Sequence, residues 1–284
     1  MSVPPQTGKR VVITGANTGI GRATALAIAN AGASMVLAGR SAERTQPVLD
    51  EIRSAGGEAE FVPLDLGDLA SVRAAAKQIT ACGRPIHTLI NNAGLAGQRG
   101  QTVEGFEVQF GVNHIGPFLF TQLLLPSIRG VEGARIVNVA SRAHTRVKDL
   151  DWSIVTGETR GKTGFREYCN SKLANVLFSA ELAKREAPHG VHVYSLHPGV
   201  VATDIWRSFP GFMDRFIKLF MISEEEGAVT TIHCATADSA REQTGLYYNK
   251  CLPIEPSKAG KDPDLAAQLW SKTVEWIDRP PGRV

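Results

Sequence analysis

Short apolar runs alternate along the chain with longer stretches in which apolar residues return every three or four positions. Arg10–Thr14, Ser34–Ala38, Glu60–Leu64, Thr88–Ile90, Ala134–Ala140 and Val191–Leu196 read as strands. Gly19–Ala31, Ser41–Ala55, Asp68–Thr80, Thr102–Leu125, Phe165–Ala187 and Ser223–Ala237 read as helices between or after them. The strand runs are apolar without strict alternation, the pattern of a parallel sheet covered on both faces. Repeated strand–helix units with right-handed crossovers predict one doubly wound parallel α/β sheet. Asp68 is placed to cap its helix, Ser223 and Glu226 fit a capping box, and Asp262–Pro263 fits a cap followed by proline. Asp262–Asp278 then reads as a terminal helix, and the polar stretch Asp149–Lys162 as a loop.

Composition narrows the picture. With 284 residues, 43% hydrophobic and 21% charged, the chain can bury a sizeable core. No linker, repeat or low-complexity tract divides it, so residues 1–284 read as a single domain. A net charge of +3 with no basic block gives no nucleic-acid footprint. Cys82, Cys169, Cys234 and Cys251 form no CxxC pair and no metal spacing, as expected of reduced thiols. The seven histidines show no metal pattern either; His114, His144 and His197 read as structural or substrate-wall residues. The N-terminus lacks the apolar centre of a signal peptide, and Ile115–Ile128 is too short and interrupted to span a bilayer. A cytoplasmic protein without a transmembrane anchor is the expectation.

The first strand runs into Thr14-Gly15-Ala16-Asn17-Thr18-Gly19-Ile20-Gly21 and a helix follows. Gly15 permits a tight turn, Gly19 lets backbone approach a pyrophosphate, and Gly21 lets helix and sheet pack closely. The helix N-terminus supplies free N–H groups and partial positive charge. This reads as a Rossmann-type dinucleotide turn; three glycines that simply end a strand and begin a helix are the alternative. The second strand ends in Gly39-Arg40-Ser41, where an NAD enzyme usually places a carboxylate. A guanidinium there can fork onto a 2′-phosphate, which points to NADP(H). The alternative is a solvated arginine beside a helix cap, with NAD used.

Tyr168 and Lys172 lie four apart on a helix and share one face. Bringing a free phenol from near pH 10 to neutrality needs roughly 4 kcal/mol of preference for the phenolate. A nearby ammonium in a partly dry cleft supplies much of that, so Tyr168 can exchange a proton with a ketone or alcohol. Ser141 follows a strand and stands at the sheet's C-terminal edge, where its hydroxyl can orient a carbonyl oxygen. Taken alone, the Tyr–Lys pair also fits an amphipathic helix with a snorkelling lysine.

Together these pieces resemble the short-chain dehydrogenases/reductases over nearly the whole chain. The matching residues are Thr14–Gly21, Asp65, Asn91-Asn92-Ala93-Gly94, Asn113, Ser141, Tyr168-Cys169-Asn170-Ser171-Lys172, and Pro198-Gly199 followed by Thr203. The resemblance implies catalysis by Asn113, Ser141, Tyr168 and Lys172. It implies cofactor contacts from Gly15, Asn17, Thr18, Gly19, Ile20, Gly21, Arg40, Ser41, Asp65, Leu66, Asn92, Ala93, Gly94, Tyr168, Lys172, Pro198, Gly199, Val201 and Thr203. Within this set Asp65 would touch the adenine, Asn113 would hold a relay water, Lys172 the nicotinamide ribose, and Thr203 the carboxamide. Gly105–His114, Ala140–His144 and Ser171–Asn175 are similar to the retinol-dehydrogenase-like branch, which implies NADP(H) and apolar carbonyl substrates. The anchor common in that branch is not expected here, and Pro117 stands where a histidine is frequent.

Ile205–Ile222 carries Trp206, Phe209, Phe212, Met213, Phe216, Leu219, Phe220 and Met221 after the Pro198-Gly199 turn. A substrate lid at about 205–222 is the first reading, with core packing and a membrane-surface helix behind it. The expected function is hydride transfer between NADP(H) and a small-molecule carbonyl or alcohol. A catalytically weak NADP(H)-binding regulator of the same fold is the alternative. An epimerase or dehydratase of the extended branch fits the short C-terminal part less well. The helices Thr102–Leu125 and Phe165–Ala187 offer faces for a homodimer or homotetramer.

Overall fold

The computed structural model describes residues 3–199, 223–241 and 243–282. The expected lid at 205–222, Val201 and Thr203 lie outside the described residues. Eight strands form one sheet in the order β3-β2-β1-β4-β5-β6-β7-β8. They are β1 Arg10–Thr14, β2 Ser34–Gly39, β3 Ala59–Pro63, β4 Thr88–Asn91, β5 Arg135–Val139, β6 His192–His197, β7 Tyr247–Asn249 and β8 Leu252–Ile254. All neighbours pair in parallel except β7 and β8. The strand order reverses between β1 and β4, where Ile13 faces Ile90, and ligands bind at such a switch point.

Helices cover both faces, as the apolar runs predict. On one side lie α1 Gly19–Asn30, α2 Ala42–Ser54 and α7 Glu224–Thr236; their core joins Ile28, Val48, Leu49, Ile52 and Cys234 to Val11, Ile13 and Leu37. On the other lie α3 Leu69–Thr80, α5 Gly116–Ile128, α6 Phe165–Glu186 and α8 Pro263–Asp278, with Val72, Phe118, Leu177 and Leu269 in one core. The predicted caps are present. Asp68 accepts from Ala70 and Ser71 amides, Ser223 and Glu226 form a capping box, and Asp262 accepts from Asp264 and Leu265 amides.

Two elements differ from the sequence reading. The helix expected from Thr102 starts later, as a single turn α4 at Val108–Phe110, because Glu107 caps it by accepting from the Phe110 amide. It then widens into a π-turn at Gly111–Ile115 before α5, and runs past Pro126 to Ile128. The β7–β8 hairpin was not expected at all. Its two-residue loop puts Lys250 at φ 51° and Cys251 at φ 63°, left-handed positions that Asn-Gly usually announces.

The C-terminal helix α8 lies against α6 and the π-turn. Trp270 meets Phe118 edge-on at 4.9 Å, and the Arg185 guanidinium sits 4.4 Å from the Trp270 ring. Thr273 Oγ1 bonds His114 Nε2 at 2.9 Å. No helix among the described residues is long and apolar enough to cross a membrane.

Candidate active site

The C-terminal ends of β1, β4, β5 and β6 bring the predicted residues to one edge of the sheet. At β1, Gly15 adopts φ 68°, and a Cβ there would stand 2.9 Å from Ala93 Cβ. A Cβ on Gly21 would run into the Gly15 carbonyl and the Asn92 amide. Both positions therefore need glycine. Asn92 Nδ2 donates to Thr14 O (2.9 Å) and Gly15 O (3.1 Å). Thr14 Oγ1 accepts in return from the Asn92 and Ala93 amides at 3.1 and 3.0 Å. These four bonds clamp the switch point open at a fixed width.

Thr18 precedes α1 in extended conformation with no side-chain cap, and the first turn carries no acid. The leading N–H groups of α1 are thus left for an anion, which fits a dinucleotide pyrophosphate. Ile20 turns the other way and packs toward Ala228 and Ile232 on α7. Asn17 is half-buried and Thr18 exposed beside the turn. At the end of β2, Arg40 is exposed. A Cβ on Gly39 would meet nothing within 4 Å, so space stands open at the residue before Arg40. Ser41 caps α2, accepting from the Arg44 amide at 3.2 Å.

After β3, Asp65 Oδ1 accepts from the Gly67 amide at 2.9 Å, and its own amide donates to Ser71 Oγ at 2.9 Å. These bonds fix the carboxylate at the rim. Leu66 instead buries its side chain in the core shared with Phe118. Beyond β4, a Cβ on Gly94 would stand 3.2 Å from Asn113 Oδ1 and 3.4 Å from Lys172 Nζ. Pro198 and Gly199 follow β6, half-buried, with Gly199 at φ 98°.

The chemistry gathers around α6. Tyr168 is 8% and Lys172 5% exposed, with the ammonium 5.8 Å from the phenol ring centre. Lys172 Nζ donates to the carbonyl of Val139, the last residue of β5, at 3.0 Å. Two residues on, Ser141 Oγ accepts from the Ala143 amide at 3.2 Å and hydrogen-bonds toward Tyr168. One strand end thus holds the ammonium and presents the hydroxyl. The π-turn swings Asn113 into the same place. Its Oδ1 accepts from the Leu95 amide at 2.7 Å, and its Nδ2 donates to Leu95 O and to Ser171 Oγ, each at 2.9 Å. Ser171 Oγ donates in turn to Tyr168 O at 2.8 Å. Both Nδ2 protons are used, so the side chain of Asn113 ties the β4 loop to α6. π-Turns recur at such functional positions.

Burial pushes the Tyr168 phenol up from its ordinary value, and Ser141 partly offsets this. Burial also pulls Lys172 down to about 8. The ammonium is bonded to a carbonyl and lies 5.8 Å from the phenol ring centre.

Several buried polar residues brace the site from outside it. Gln109 is fully buried; its Oε1 accepts from the Gly97 amide at 2.9 Å and its Nε2 donates to Gly164 O at 2.7 Å, at the start of α6. Asn170 Oδ1 accepts from the Asp151 amide at 2.9 Å. Asn91 Nδ2 bridges Thr121 Oγ1 and Asn138 Oδ1 between β4, β5 and α5. Their hydrogen-bond partners lie 12 to 55 residues away in sequence. His114, His144 and His197 are buried, at 1%, 1% and 7% exposed.

A glycine turn at the switch point, a serine at the adjacent strand end and a tyrosine and lysine on α6 are the arrangement expected of a dinucleotide-dependent oxidoreductase. Comparison with known proteins agrees. The family model for short chain dehydrogenase matches residues 9–211. Retinol dehydrogenase 12 of Homo sapiens is 40% identical over 275 residues, covering 95% of this chain and 86% of its own. Retinol dehydrogenase 11 of Homo sapiens is 38% identical over 278 residues, covering 96% and 87%. A solved structure of an uncharacterized protein from Mycobacterium paratuberculosis superposes with a TM-score of 0.79 at 30% identity, covering 97% and 96%. The chain belongs to the short-chain dehydrogenase/reductase family, in its retinol-dehydrogenase-like branch, and is an oxidoreductase of alcohols and carbonyls.

Proposed function

We propose that this protein interconverts an apolar carbonyl and its alcohol with NADP(H), acting through Tyr168, Ser141 and Lys172. The observation that carries the reading is the convergence of these three side chains beside an uncapped α1 N-terminus. NADP(H) supplies the hydride. The Gly15–Gly21 turn would hold its pyrophosphate, Asp65 its adenine, and Lys172 its nicotinamide ribose. Arg40, with open space beside Gly39 and no neighbouring acid at the strand end, suits a 2′-phosphate.

In reduction, Ser141 Oγ–H and Tyr168 Oη–H would both donate to the substrate oxygen. Ser141 orients it, and Tyr168 gives it the proton. Lys172 stabilises the phenolate left behind, which the free protein disfavours. Burial of both groups excludes water and strengthens each interaction. An apolar substrate accords with the greasy sequence 205–222 and with relatives named for retinol. A homodimer or homotetramer belongs to the same reading. The face of α6 against α8 is already covered, so contact would use other surfaces.

The test is turnover of NADPH and NADH with a panel of apolar aldehydes and ketones, alongside measured cofactor affinity. NADPH-preferring reduction supports the reading. Saturable NADPH binding with no turnover across the panel would favour a binding protein instead.

A further inference from the structure

We propose that His144 is a positioning residue, a two-ended tie that sets Ser141 from the C-terminal segment. The inference rests on the reading of Ser141 as the group that orients the substrate oxygen.

His144 is 1% exposed. Its Nδ1 lies 2.7 Å from the carbonyl oxygen of Ser141. Its Nε2 lies 3.1 Å from the amide nitrogen of Ser257, 113 residues on. The Tyr247 ring packs edge-on against the imidazole at 4.8 Å and fixes its plane. The two partners dictate the tautomer. A carbonyl oxygen only accepts, so Nδ1 must carry the proton. A backbone amide only donates, so Nε2 must keep its lone pair. A neutral ring satisfies both; a charged one would set an N–H against the Ser257 N–H. Burial favours the same neutral state.

The consequence concerns Ser141. It starts a short turn, Arg142–Arg146, outside the sheet ladder, and its hydroxyl has no long side chain with which to adjust. Its position is set by its backbone. His144 grips the Ser141 carbonyl and is itself held by Ser257, in the segment between β8 and α8. Ser257 Oγ accepts from the Gly260 amide at 3.1 Å, which stiffens that anchor. A displacement of about 1 Å at a reacting group costs roughly a hundredfold in rate. A tie of this kind therefore acts on turnover and leaves the remote dinucleotide turn alone.

Two substitutions separate the ends. In His144→Asn the amide nitrogen replaces Nδ1 and keeps the Ser141 bond only. In His144→Gln the amide oxygen replaces Nε2 and keeps the Ser257 bond, while the Ser141 carbonyl loses the ring donor and retains the backbone amide of residue 144 at 3.2 Å. Ser257→Pro deletes the backbone donor; Ser257→Ala measures loss of the hydroxyl alone, so the excess of the proline variant reports the amide. The assay uses the full chain, NADPH and the aldehyde best reduced by the unaltered protein. Both histidine variants and Ser257→Pro should lower kcat about tenfold or more, with NADPH affinity held within about twofold. Adding Ser257→Pro to His144→Asn should cost nothing further, because the tie is already cut. Additive losses, or an unchanged kcat in folded His144 variants, would overturn the tie. Ser141→Ala separates the two readings: if it keeps full turnover, the assignment of Ser141 fails; if it is inactive while the His144 variants are not, only the tie fails. Ring-nitrogen NMR gives a readout without activity. It should show a protonated Nδ1 and a bare Nε2 whose signal moves in Ser257→Pro; a protonated Nε2 contradicts the proposal even where a variant fails to fold.

Discussion

Lys172 is a charge kept in a dry place, and its replacement by methionine should reveal what that costs. The side chain is 5% exposed, and burial lowers its pKa from the ordinary 10.5 to about 8. That drop corresponds to about 3 kcal/mol borne by the folded protein whenever the amine is charged. The sign follows from proton linkage. Between the folded and unfolded values the unfolded chain holds more protons, so the native protein gains stability as pH rises from about 8 to 10.5. Below pH 8 the penalty is present in full. Lys172→Met removes it but leaves Val139 O without its donor, a loss of about 1–3 kcal/mol. The net change at pH 7 is then between about zero and +2 kcal/mol. The pH dependence is sharper, because the carbonyl loss does not titrate. The stability of Lys172→Met relative to the unaltered protein should fall by about 2 kcal/mol from pH 7 to about pH 9.5. Urea unfolding of the cofactor-free protein at several pH values measures this. Turnover should be lost throughout. A stability difference that is flat with pH would refute the buried ammonium and, with it, the role given to Lys172.

Other substitutions probe the remaining parts. Tyr168→Phe should cut kcat by about a hundredfold or more while NADPH affinity, followed by fluorescence quenching, stays within about twofold. Arg40→Asp should weaken NADPH by about tenfold to a hundredfold and leave NADH far less affected, as read by the ratio of the two dissociation constants. Gly21→Ala should fail to bind either cofactor, since the added methyl meets the Gly15 carbonyl; titration calorimetry on folded protein decides it.

The sheet, its covering helices and the motif residues were legible because each depends on local chemistry. Apolar runs give buried strands, and Gly15, Gly19 and Gly21 sit where only a tight turn can follow β1. Asp68, Ser223 and Asp262 announce their helices by side chains that bond amides two or three residues away. What stayed hidden depends on partners distant in sequence or on unusual backbone. Lys250-Cys251 makes a hairpin turn with no glycine or asparagine to signal it. The π-turn adds one residue to a helical pattern whose apolar spacing barely changes. His144 and Ser257 are joined only once the hairpin has brought the C-terminal segment back over the β5 turn.

The most direct measurement is a crystal structure of the protein with NADP bound. The account predicts the pyrophosphate on the amides at the start of α1 and the 2′-phosphate against Arg40. It also predicts the nicotinamide carbon facing a point within hydrogen-bond reach of both Tyr168 Oη and Ser141 Oγ. A nicotinamide ring lying away from that point, with the phenol still walled off from it, would contradict the assignment of the site.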